Sequence, residues 1–216
     1  MKPLKKTVLT LVCALSIIAC KNEQGKIEAE PIENNEVLSV ENPIQEEEQK
    51  IVFQKTLTLQ NITFDIMTTG EGSISELTIQ PKGLEIDNQK IAVELEGQVV
   101  NAEIEDLNSD GSPEILIYTI SAGSGSYGNV IGYSVNNGKS VSQIYFPEIT
   151  ENKEASSGYM GHDEFAVIET TLARRFPVYK EGDTNNNPTG GTRQIEYKLK
   201  DGEASRLFVI DKISEY

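Results

Sequence analysis

The chain has 216 residues, 19 basic against 34 acidic side chains, a net charge of −15 and two cysteines. That acidity argues against nucleic acid and anionic lipid surfaces as partners. The single histidine excludes a histidine-rich zinc site. The first element in chain order is a targeting segment. Lys2, Lys5 and Lys6 precede a mostly apolar run over residues 8–19, too short to span a bilayer. It ends in Ile17-Ile18-Ala19-Cys20, which fits a bacterial lipobox, so residues 1–19 read as a lipoprotein signal and Cys20 as the lipidated residue. Lipid on Cys20 would give stable membrane attachment. Cleavage also removes Cys13, leaving no pair for a disulfide, and losing three lysines takes the charge from −15 to −18. Lys21 after the lipid cysteine leans toward an outer-membrane address in the cell envelope, facing the periplasm or the surface.

Residues 20–50 are polar and acidic, with Glu46-Glu47-Glu48, Pro31 and Pro43 and almost no aromatics. Such a segment cannot bury enough apolar surface to offset its ordering entropy, and it reads as a disordered tether. Residues 51–216 suit one domain with a sizeable core. Period-two alternation marks strands at 56–59 and 62–66, with further short candidates at 76–80, 91–96 and 99–104. Apolar runs at 115–120 and 130–135 are also strands. Asn136-Asn137-Gly138 and Asp201-Gly202 predict hairpin turns, the second joining 195–199 to 207–210. Pro177 predicts an edge strand, and 164–172 is the one stretch with ambiguous helical period. Together these elements predict an all-β fold, an antiparallel β-sandwich.

Several chemical motifs fail on context. Gly123, Gly125 and Gly128 match G-x-G-x-x-G, but the segment after them is short, β-branched and stopped by Asn-Asn-Gly, where a dinucleotide fold needs a helix. Gly138-Lys139-Ser140 resembles the end of a P-loop, but Tyr133 stands where its first glycine belongs. No nucleophile elbow frames Ser124 or Ser126. A hydrolase using either serine with His162 stays open, although a lone histidine between turn residues more often serves structure. No cofactor is expected. The one metal candidate is Ca²⁺ at Asp106, Asn108, Asp110 and Glu114, with oxygen ligands at alternate positions. It is not an EF-hand, because Ile117 occupies the twelfth position. The alternative is an Asx-type turn leading into the next strand.

The stretch Ala122-Gly123-Ser124-Gly125-Ser126-Tyr127-Gly128 between two strands is either an inert connection or a finger shaped to enter another molecule. Three blocks resemble the family of periplasmic inhibitors of invertebrate-type (i-type) lysozyme: 106–118, the loop with its Ser124-Gly125-Ser126-Tyr127 (an S-G-x-Y signature), and the run from Gly158-Tyr159-Met160-Gly161-His162-Asp163 to Arg193. The resemblance implies a β-sandwich that is not an enzyme. It implies i-type lysozyme as partner, with Ser124, Gly125, Ser126 and Tyr127 entering the substrate cleft to protect peptidoglycan. The lipobox and tether depart from a freely soluble periplasmic inhibitor. A calcium-stabilised surface module for a glycan or protein is the alternative reading, and a homodimer stays open.

Overall fold

The computed structural model describes residues 50–70 and 72–216. The lipoprotein signal, Cys20 and the tether up to residue 49 lie outside the described residues. Three antiparallel four-stranded sheets succeed one another along the chain. The first holds β1 (Ile51–Leu59), β2 (Ile62–Thr69), β3 (Ile74–Lys82) and β4 (Ile91–Glu96). The second holds β5 (Gln98–Glu105), β6 (Glu114–Ile120), β7 (Gly128–Asn136) and β8 (Ser140–Ile144). The third holds β9 (Glu164–Ile168), β10 (Thr171–Pro177), β11 (Thr192–Asp201) and β12 (Arg206–Glu215). Each strand pairs with its neighbours in sequence, so every sheet is a meander.

The second sheet is the middle layer. Ile115 and Ile117 of β6 join Val99, Ala102 and Val135 against Phe64, Ile66, Leu77 and Ile79 of the first sheet. Leu116 and Tyr118 point the other way. With Val130 and Ile144 they pack on Leu172, Phe176, Ile195, Tyr197 and Phe208 of the third sheet. A strand buried on both faces cannot alternate apolar with polar, which explains why β6 reads Glu-Ile-Leu-Ile-Tyr-Thr-Ile. The outer sheets do alternate: β2 and β11 bury every second residue over most of their length. Each fully buried aliphatic or aromatic side chain contributes about 1.5–3 kcal/mol. The antiparallel sandwich expected from the sequence is present, with a further sheet on the outer face of its middle layer.

Most predicted strands fall inside observed ones, and 91–96 coincides with β4. Asn137 and Gly138 adopt positive φ (50° and 70°) and turn β7 into β8, as predicted. The β11–β12 hairpin also forms, but its connection is wider than two residues: Asp201 pairs with Arg206, and Gly202 N donates to Ser205 O. One expectation is overturned and one ambiguity is resolved. β10, with Pro177, is not an edge strand but lies between β9 and β11. The proline is tolerated because it is the last residue of β10, past Arg175, where pairing with β9 stops. The ambiguous 164–172 stretch is the β9–β10 hairpin, turning at Glu169 with φ 54°. A single helical turn at Lys153–Ser156 had no periodic signal, being one turn long. Asn152 caps it by accepting from Glu154 N and Ala155 N.

Candidate functional site

The Gly- and Ser-rich loop leaves β6 at Ile120 and re-enters the sheet at Gly128, which face each other across the ladder. Its neck is closed by Ser121 N donating to Tyr127 O (2.9 Å) and Tyr127 N donating to Ser121 Oγ (3.0 Å). Its tip is a turn in which Ser126 N donates to Gly123 O at 3.0 Å. The result is a compact finger. Ser124 is exposed and Tyr127 is 50% exposed, while Gly125 and Ser126 are partly covered. Among the described residues, no hydrogen bond engages the side-chain hydroxyls of Ser124, Ser126 or Tyr127. The finger leads directly into β7, a strand, so the G-x-G-x-x-G match has no helix N-terminus to serve it.

The finger is held from outside by the chain around the third sheet. His162 N donates to Gly125 O (2.7 Å). Asn185 Nδ2 donates to Ser124 O (2.8 Å), and Asn185 Oδ1 pairs with His162 Nε2 (3.1 Å). Tyr179 OH donates to Asn185 O and fixes that side chain's own backbone. Gly161 sits at φ +90°, and a Cβ there would strike Gly125 O, so only glycine lets the two backbones approach this closely. The Tyr127 ring meets the Tyr159 ring edge to face, centroids 5.7 Å apart. Beneath the finger, Asp163 accepts from Gly128 N, Tyr159 OH and Arg174 Nε, each at 2.6 Å.

Arg174 is buried on the inward face of β10 between Leu172 and Phe176, with aromatic rings of Phe146, Tyr159, Phe165 and Phe176 5.0–5.9 Å from its guanidinium. Burial alone would lower its pKa; the hydrogen bond and charge of Asp163 more than offset that, and the group stays cationic. The Tyr159 hydroxyl is pushed up, chiefly by burial. Sequence reasoning assigned no role to Asp163, Arg174, Tyr159 or Asn185. One signal was present: an arginine on the apolar face of β10 requires an acidic partner inside the fold.

His162 thus serves as a brace. Its Nε2 meets Asn185, and among the described residues no bond joins it to the hydroxyl of Ser124 or Ser126. The 106–114 segment forms an Asx-type turn. Asp106 Oδ1 accepts from Asp110 N (3.0 Å) and its Oδ2 from Gly111 N (2.9 Å). Asn108 Oδ1 also accepts from Asp110 N at 3.2 Å. Asp110 Oδ1 accepts from Ser112 N at 2.8 Å, and Arg206 Nη2 reaches Asp110 Oδ2 at 2.5 Å. Glu114 is fully buried, accepting from Leu107 N (2.8 Å) and Ser134 Oγ (2.6 Å), with Arg206 Nη1 3.6 Å away. Burial pushes its carboxyl up to about 7 despite those donors. Among the described residues, no group of three or more His, Cys, Asp or Glu side chains is arranged to hold a metal ion.

Residues 66–157 match the family model described as periplasmic lysozyme inhibitor of I-type lysozyme. Over this segment the chain is similar to that inhibitor family. The matched residues contain the 106–114 turn, β6, the finger and β7, and stop just after the helical turn. The residues that brace the finger, from Tyr159 to Asn185, lie C-terminal to the matched segment. The family is one of inhibitors, not enzymes. No curated protein and no solved structure matches the chain.

Proposed function

We propose that this protein inhibits an i-type lysozyme by inserting the finger Ser124-Gly125-Ser126-Tyr127 into the enzyme's substrate cleft, and that it does so in the bacterial cell envelope, lipid-anchored through Cys20. The observation that carries the reading is the finger itself. It presents an exposed serine and a half-exposed tyrosine whose hydroxyls bond nothing in the described chain, on a backbone braced from outside. A glycosidase cleft offers one carboxylic acid kept protonated and one ionised. A serine hydroxyl donates and accepts, so it can pair with either; a tyrosine hydroxyl donates to the ionised one while its ring fills space meant for a sugar. A braced loop loses less conformational freedom on binding. The strongly acidic net charge would speed encounter with a cationic enzyme.

The test is an inhibition panel of i-type, c-type and g-type lysozymes with purified protein. Stoichiometric inhibition confined to, or strongest for, the i-type enzyme is expected. Absence of inhibition of every i-type enzyme tried refutes the function. Radiolabelled palmitate incorporation that is lost in Cys20→Ser tests the anchor.

A further inference from the structure

We infer that Asp163 is a positioning residue for the finger, held in place by Arg174 and Tyr159. The inference rests on the finger being the inhibitory element. The Asp163 side chain is fully buried and paired with Arg174, itself 3% exposed. One carboxylate oxygen, Oδ2, accepts from both Gly128 N and Tyr159 OH, while Oδ1 takes Arg174 Nε. Arg174 Nη2 then donates to Tyr159 OH at 2.8 Å, closing the cluster. Gly128 is the root of the finger, and Tyr159 is the ring on which Tyr127 rests. A single side chain therefore fixes the finger at its base and, through Tyr159, at its functional tyrosine.

Packing alone does not account for an ion pair here. The site is walled by Phe146, Phe165 and Phe176, and burying a carboxylate and a guanidinium costs desolvation that a well-fitted apolar pair would avoid. A hydrocarbon cannot accept the Gly128 N–H or aim the Tyr159 hydroxyl. Both the N–H and the carbonyl of Gly128 face this cluster, so no β6 partner takes over if Asp163 is lost. Without it the finger's base is free, and the enzyme must order it on binding. Sequence distance hides the device: Asp163 lies 35 residues from Gly128, in a segment beyond the end of the family match.

The experiment uses the intact protein and combines amide hydrogen exchange with a double-mutant cycle. In Asp163→Ala, which removes the acceptor, the Gly128 amide should lose protection while the Leu172 and Phe176 amides of β10 keep theirs. Inhibition of an i-type lysozyme should weaken on the order of tenfold. Adding Asp163→Ala to Ser124→Ala/Tyr127→Ala should then weaken inhibition little further, because Asp163 acts through the finger. Asp163→Asn, which keeps one acceptor oxygen and loses the charge, should show the same pattern with a smaller loss. It replaces Asp163→Ala if that variant does not fold. Unchanged Gly128 protection, or the same fold-loss with and without the Ser124 and Tyr127 side chains, overturns the inference. If the wild-type protein inhibits no i-type lysozyme, the proposed function fails, and Gly128 exchange in the free protein still decides the positioning role.

Discussion

The two loops that bracket β6 differ in composition and have opposite constructions. The 106–113 turn that enters the strand satisfies its own backbone: Asp106 and Asp110 accept the amides of Asp110, Gly111 and Ser112. The finger that leaves the strand has no acid. Its Ser124 and Gly125 carbonyls and the Gly128 amide at its base are satisfied by Asn185, His162 and Asp163 from elsewhere. Self-satisfaction consumes the polar side chains of the first loop; outside bracing leaves the hydroxyls of the second available. Each loop is backed by a buried carboxylate near a third-sheet arginine, at 3.6 Å for Glu114 and Arg206 and 2.6 Å for Asp163 and Arg174. The looser pair leaves its acid pushed up to about 7, and the tight pair keeps its arginine cationic. Where a loop's hydrogen-bond partners come from decides whether it is a closed end or a presented surface.

The comparison breaks most visibly if the shared strand is damaged. Leu116→Ala removes a fully buried side chain between both loops and should cost about 2–5 kcal/mol in urea unfolding. A loss well under about 1 kcal/mol would mean the middle sheet is not packed against the third. The next effect is pH-dependent. The folded-state pKa of Glu114 is raised from 4.5 to about 7, so folding favours its protonated form. That contribution is full below pH 4.5 and is lost as pH rises through about 7, a window worth up to about 3 kcal/mol. Glu114→Gln should flatten this part of the stability–pH curve; an unchanged slope contradicts the assignment. Asp106→Ala opens the self-closed turn and should cost about 1–2 kcal/mol while leaving the inhibition constant alone. Loss of inhibition in that variant would blur the division between the loops. The smallest expected effect is that of calcium. With Asp106 held by amides and Asp110 by Arg206, melting temperatures in Ca²⁺ and in EDTA should agree. A drop of several degrees in EDTA would support the calcium reading for Asp106, Asn108, Asp110 and Glu114.

Local features of the chain were legible and distant ones were not. Period-two alternation located β2, and positive-φ residues located the Asn137-Gly138 turn, because both depend on near neighbours. The unbroken apolar run of β6 signalled burial, but not that a separate sheet covers each face. β8, Ser-Val-Ser-Gln-Ile, has too few apolar residues to announce itself. Pro177 misled because a proline at the end of a central strand reads the same as one in an edge strand. In the candidate site, Ser124 and Tyr127 stood out through their glycines. Their supports did not, since Asn185 reaches Ser124 across 61 residues of sequence. Only Arg174, an ion on an apolar strand face, betrayed a partner without naming it.

The most direct test of the central claim is a titration of an i-type lysozyme with the wild-type protein and with Ser124→Ala/Tyr127→Ala, both checked for equal melting temperatures. Each lost hydrogen bond to a charged group should weaken binding roughly ten- to a hundredfold, so the double variant should lose on the order of a hundredfold or more at unchanged stability. A double variant that inhibits as tightly as the wild type contradicts the finger mechanism.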